Sequence, residues 1–154
     1  MTGGEIAYAA FMALALLVAM AARRRLPPLA LSGRERRAIA VAAFVGGVLG
    51  ARIPFAGAWL GDGKTILGGF GGGYLAVEAT KAMLGIRAKT GDTFALPVAL
   101  ACAVGRWGCF FHGCCAGTPT ALPWGRDFGD GVPRHPTQIY EFLFHLAMAW
   151  VLYA

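Results

Sequence analysis

Four residues with soft or basic donor atoms, Cys109, His112, Cys114 and Cys115, fall within seven positions of one another. Thiolate sulphur together with imidazole nitrogen suits zinc, and a soft site also takes copper. The spacing C-x2-H-x-C-C matches no familiar zinc finger. The same thiols also suit packing, a structural bridge such as Cys109 with Cys114 or Cys115, or redox and acyl-accepting chemistry. Sequence does not fix the connectivity. A second group is Arg52 and Arg106. Each stands among glycines: Gly46, Gly47 and Gly50 precede one, and Gly105 and Gly108 flank the other. Glycine lets a backbone or headgroup approach closely, and the planar guanidinium fork grips phosphate. The pair therefore suits a phosphate site, or else two anchors to headgroups or backbone carbonyls.

The elements that must position these groups follow from composition. The chain has 154 residues, 57% apolar and 14% charged, against roughly 25% charged in an ordinary soluble domain. Its mean hydropathy is +0.58. Disorder is excluded, since it requires few apolar residues and much charge, and a soluble globule is disfavoured. A membrane-crossing helix needs roughly 20 mostly apolar residues. Five runs approach that length: 6–22, 38–55, 66–84, 93–111 and 138–154. The expected fold is all-α, a polytopic integral membrane protein of about five transmembrane helices in one domain, 1–154. The first run carries no charge, and its basic residues follow rather than precede it, as in a retained signal anchor. The second and third runs are rich in glycine and are expected to pack tightly on other helices. Cys102, inside the fourth run, reads as a small core residue.

Charge sets the expected topology. The net charge is +6, and six of the fourteen basic residues (Arg23, Arg24, Arg25, Arg34, Arg36 and Arg37) lie between the first two runs. Arg87 and Lys89 follow the third. By the positive-inside rule, loops 23–37 and 85–92 face the cytoplasm, loops 56–65 and 112–137 face outward, the N-terminus is outside and the C-terminus inside. Basicity thus reads as orientation and as affinity for anionic membrane lipids, and nucleic acid is not expected as a partner. The outer loop 118–136 is rich in proline and glycine and is expected to be full of turns. Arg52, Glu78, Lys81, Arg106 and Glu141 remain within or at the ends of the runs, where an ionisable residue is costly and marks function. Glu78 and Lys81, three apart, are expected to pair with each other. Arg52 and Arg106 fall at the outer ends of their helices.

The segment GRWGCFFHGCCAG (105–117) resembles the signature G-R-x-G-N-F-x-N-G-E-x-x-G of the prolipoprotein diacylglyceryl transferase family. RHPTQIYE (134–141) resembles that family's R-H-P-S-Q-L-Y-E element. GARIPF (50–55) and TILGGFGG (65–72) resemble its G-G-R-I-G-Y and S-F-H-G-G-L-I-G elements, in the same order. The resemblance implies a multi-pass enzyme of the bacterial inner membrane. It would transfer diacylglyceryl from phosphatidylglycerol to the cysteine thiol of a prolipoprotein signal peptide, and no cofactor is called for. Arg106 would grip the phosphate with Arg52 or Arg134 assisting, His135 would act as base, and Tyr140 would bond the headgroup. Gly108, Gly113 and Gly117 match the family's glycines and would shape a close turn. Cys109 and His112 stand where the family has asparagines, Cys114 where it has glutamate, and Leu67 where it has histidine. Family members continue through further helices, so the chain is expected to be a piece of a longer one or a reduced relative. The alternatives are a thiol- or metal-dependent membrane protein, or a non-catalytic one, on the same scaffold.

Overall fold

The computed structural model describes residues 2–27, 30–52 and 65–154. Among these are five helices: α1 (Gly3–Arg25), α2 (Gly33–Ala51), α3 (Ile66–Leu84), α4 (Asp92–His112) and α5 (Thr137–Tyr153). Local chemistry explains their ends. Thr2 and Ser32 each cap a helix and are answered by Glu5 and Glu35 three residues on, in reciprocal capping boxes. The hydrogen bond to Ser32 holds the Glu35 carboxyl below the usual carboxylate range. Thr65 caps α3, and Gly85 and Gly113 end α3 and α4 in the left-handed conformation that glycine adopts without strain. The expected runs thus locate the helices to within a few residues. α2 begins five residues early, because Ser32 rather than the first apolar residue starts it. Residues 53–55 of the second run and most of loop 56–65 lie outside the described residues.

The chain divides into two compact units. In one, Pro28–Lys89, α2 packs on α3. The contact is glycine on glycine, since a Cβ on Gly50 would sit 2.8 Å from Gly72 Cα. Close backbone approach through small residues is how helices associate where no water drives them together. Ile39 and Val77 are the buried apolar side chains here. Lys81 and Glu78 pair at 2.8 Å, as their spacing suggested.

In the other unit, Met1–Pro27 with Thr90–Ala154, α4 lies between α1 and α5. Gly105 and Gly108 receive Met12 and Phe11 of α1, and Trp107 meets Phe142 of α5 edge to face. At the opposite end of α4, Leu96 and Ala99 are buried with Ala149. Beside them a groove of about 800 Å³ opens, lined by Val18, Leu26, Leu100, Leu143 and Trp150 among others.

Large apolar side chains stand exposed on every helix: Leu17 on α1, Phe44 on α2, Leu67 (80%) on α3, Phe111 on α4 and Trp150 (73%) on α5. In water such surfaces aggregate. In hydrocarbon they are the solvent-facing side. By length and apolar composition, α1 and α4 meet the requirement for crossing a membrane. Among the described residues, the other three helices fall short of it. α5 has 17 helical residues, α2 opens on Arg34, Glu35, Arg36 and Arg37, and α3 carries Glu78 and Lys81. The outer loop contains an antiparallel hairpin of β1 (Arg126–Asp127) and β2 (Pro133–Arg134), which the all-α expectation did not include.

Candidate functional site

Helices α4 and α5 are antiparallel neighbours, so the last turns of one meet the first turns of the other. Arg106 on α4 faces Glu141 on α5, and the two form an ion pair. The Arg106 side chain is 17% exposed and that of Glu141 39%. A lone guanidinium among apolar helices is costly, and the carboxylate one helix away offsets that cost. Sequence reading isolated both residues but did not join them. Glu141 is the sole carboxylate of its run, and that was the available signal.

The loop after α4 returns to the same end. Gly113 turns the chain at φ +79°, and its amide and that of Cys114 both donate to the Cys109 carbonyl. Gly117 donates to the His135 carbonyl at 2.9 Å, and His135 donates to Thr118 at 3.1 Å. Thr137 and Gln138 at the start of α5 donate to the carbonyls of Cys115 and Cys114, at 2.6 and 2.7 Å. Gln138 is 1% exposed, so its amide fixes the loop from inside. Gly113 thus shapes a turn as expected. Gly117 and Gly108 do not: Gly117 bonds across to the His135 carbonyl outside any turn, and Gly108 lies within α4, where its missing side chain admits Phe11 and the Tyr8 carbonyl of α1.

Of these three glycines, Gly117 has the least room. A Cβ there would sit 2.8 Å from both the His135 Cβ and the Thr137 Cγ2. Gly117→Ala is therefore expected to push the 134–137 segment away and to destabilise the unit by about 1–3 kcal/mol. Faster hydrogen exchange across 113–137 with α1 unchanged would register this, and unaltered exchange would count against it.

His135, Tyr140 and Trp124 form a chain of polar tips. The indole N–H of Trp124 donates to the Tyr140 oxygen at 2.8 Å, and that oxygen lies 3.1 Å from His135 Nδ1. Arg134 is engaged by Asp130, at 2.6 Å from Nη2 and 2.7 Å from Nε. This hydrogen bond holds the Asp130 carboxyl below its usual range. Asp127 ties the hairpin turn by accepting from the amides of Gly129 and Gly131. Arg126 stacks over the Phe110 ring at 4.5 Å. Arg52 belongs to the other unit, where it caps α2 and is exposed.

The four cysteines are free thiols. The sulphur atoms of Cys109, Cys114 and Cys115 all lie within 4.8 Å of one another. Desolvation, with the neighbouring Cys109 and Cys115 adding to it, pushes the Cys114 thiol up to about 12. His112 does not join this group. Its ring turns edge-on to Tyr8 of α1, with centroids 5.6 Å apart. Position 112 is the last of α4, and there the imidazole finds an aromatic neighbour on the adjoining helix instead of the thiols.

A mostly helical chain with lipid-suited outer faces and a charged, thiol-bearing site where α4 ends and α5 begins defines a helical membrane protein with a polar site in one unit. It belongs to the prolipoprotein diacylglyceryl transferase family, whose model matches residues 5–154. The chain is 42% identical over 93 residues to the phosphatidylglycerol–prolipoprotein diacylglyceryl transferase of Clostridioides difficile, covering 60% of this chain and 37% of the relative. It is 37% identical over 105 residues to that of Clostridium tetani, covering 60% and 40%. It is 41% identical over 101 residues to that of Nitrosomonas europaea, covering 60% and 36%. The chain thus aligns with two fifths or less of the length of these relatives. No solved structure matches it.

Proposed function

We propose that this chain carries the phosphate-gripping part of a phosphatidylglycerol–prolipoprotein diacylglyceryl transferase, and that Arg106, His135 and Tyr140 work on one substrate. The carrying observation is the Arg106–Glu141 pair at the end of α4, beside a loop held by His135, Tyr140 and Gln138. The same reading has α2, α3 and α5 cross the bilayer beside α1 and α4, although among the described residues only those two qualify alone by length and composition, with the N-terminus outside, Ala154 on the cytoplasmic side and the 112–137 loop at the outer surface. The arrangement of residues 1–154 as one membrane domain belongs to the same reading.

The chemistry needs two things from the protein. A cysteine thiol must lose its proton, and a phosphate must depart with an electron pair. With Nδ1–H donating to the Tyr140 oxygen, which has lone pairs for both His135 and Trp124, the Nε2 of His135 keeps its own lone pair for the incoming S–H. The thiolate then attacks the glycerol carbon that bears the phosphate. A C–S bond forms, the C–O bond breaks, and glycerol phosphate leaves with its charge met by Arg106. Arg134 assists at the headgroup by exchanging Asp130 for phosphate; Arg52, on the other unit, is the sequence's alternative candidate for that role. Gly108 admits α1 against Arg106's helix, and Gly113 and Gly117 keep the loop over the site. The apolar groove lined by Leu100, Leu143 and Trp150 has the character an acyl chain needs.

The test is to place the chain in phosphatidylglycerol vesicles with a lipobox peptide and to follow the peptide by mass spectrometry. A diacylglyceryl-cysteine product is expected, with glycerol phosphate released in equal amount. His135→Asn is expected to slow it by about 10²-fold, the contribution of a positioned base. A folded chain that makes no product in these vesicles would remove the reading.

A further inference from the structure

Three thiols converge at the end of α4, and the proposed transfer uses none of them. Cys109 is on the last turn of the helix, and Cys114 and Cys115 follow the Gly113 turn. The loop is held in shape from several sides. Gly113 and Cys114 amides bond the Cys109 carbonyl. Gln138, buried, bonds the Cys114 carbonyl, and Thr137 bonds that of Cys115. Cys115 has φ +62°, and among the described residues no other non-glycine residue has a positive φ. A side-chain-bearing residue persists in that region only where its surroundings over-determine it. Here they do so, and the outcome is three sulphur atoms within 4.8 Å of one another and no bond between them.

Sulphur atoms around one zinc or copper ion each stand about 2.3 Å from it, hence roughly 3.8 Å from one another. The observed spacing exceeds that by about 1 Å at most. Donors that are all sulphur select soft ions over magnesium or calcium. Arg106, one turn earlier on α4, supplies positive charge near what would become anionic ligands. We propose that Cys109, Cys114 and Cys115 form a three-thiolate site for a soft d10 metal ion, zinc(II) or copper(I), with the fourth position of a zinc ion left open. Binding exchanges three S–H protons for three metal–sulphur bonds, with no change of oxidation state.

The experiment uses the full chain in detergent, reduced with a phosphine and freed of metal. Zinc(II) and copper(I) are added in separate arms against a chromophoric chelator, with cadmium(II) as a spectroscopic probe of thiolate ligation. One ion per chain is expected in at least one arm, with a sulphur-to-cadmium charge-transfer band and proton release on loading. Cys109→Ser, Cys114→Ser and Cys115→Ser should each weaken binding by more than ~100-fold, beyond what loss of a supporting residue costs. Cys102→Ser should bind as the native chain does. Because a serine variant can misfold, the folded native chain is also treated with a methylthiolating reagent, which should abolish uptake until a reductant cleaves the mixed disulfides and restores the thiols. Sub-stoichiometric metal in both arms, a band that survives Cys114→Ser with Cys115→Ser, or uptake by the blocked chain would each overturn the proposal. So would a Cys109–Cys114 or Cys109–Cys115 disulfide that persists in the presence of metal and reductant. None of these readouts depends on transferase activity.

Discussion

Arg106→Ala is expected to lose both the proposed diacylglyceryl transfer and part of the fold's stability, and two companion variants separate the effects. The guanidinium is largely buried between α4 and α5 and is paired with Glu141. Removing it leaves a carboxylate facing apolar helices with no partner. Breaking a buried pair in this way costs about 3–5 kcal/mol, and the partial exposure of Glu141 places the expectation at the lower end. The chemical loss is separate. A positive group fixed where a phosphate leaves is worth about 10³-fold or more in rate. Arg106→Lys keeps the charge and the ion pair but not the planar two-pronged fork. It should therefore unfold near the native temperature while transferring at least ~10²-fold more slowly. Glu141→Gln keeps a hydrogen-bond acceptor for Arg106 and removes the competing negative charge. It should lose some stability yet retain affinity for phosphatidylglycerol vesicles. Melting in detergent, with product formation measured on the same samples, reads both effects. Arg106→Lys transferring at the native rate would show that phosphate is gripped elsewhere.

The positions of the helices were legible because their signals are local. Apolar runs, capping pairs such as Ser32 with Glu35, and the glycine stops at 85 and 113 all act within one turn of the chain. Arg106 stood out for the same reason, as a charge inside an apolar run. Its partner was not, because Glu141 meets it only through the pairing of α4 with α5, which is not a local property. The thiol cluster shows the same division. Spacing alone grouped His112 with Cys109, Cys114 and Cys115. The turn at Gly113 carries the two later cysteines back, while His112 turns to Tyr8 on a helix more than a hundred residues earlier. Gly108 shared a signature with Gly113 and Gly117 and was read with them as a turn. Its role is decided by α1, which a local pattern does not contain. The hairpin at Arg126–Asp127 and Pro133–Arg134 was read only as turns, since strands of two residues have no periodicity to detect.

Gly72→Ala is expected to open the α2–α3 pair, although alanine is the better helix former. Intrinsic propensity favours alanine over glycine by up to about 1 kcal/mol within a helix. Packing opposes it here. A Cβ on Gly72 would lie 2.7 Å from the Gly50 Cα and closer still to the Gly46 carbonyl oxygen. These are backbone atoms of the facing helix, which do not rotate away as a side chain end does. The helices must separate to admit the methyl group, and separation removes the close contacts at Gly46, Gly50 and Gly68 together. Overpacking of this kind costs about 1–3 kcal/mol, which exceeds the gain in propensity. Gly71, one residue earlier on the same helix, has nothing within 4 Å of its would-be Cβ. Gly71→Ala should therefore be neutral or slightly stabilising, so neighbouring glycines change stability with opposite sign. Hydrogen exchange of α2 and α3 in detergent distinguishes the two: faster in both helices for Gly72→Ala, unchanged or slower for Gly71→Ala. If the two variants exchange alike, the glycine faces do not meet as described, and the packing of this unit must rest on Ile39 and Val77 instead.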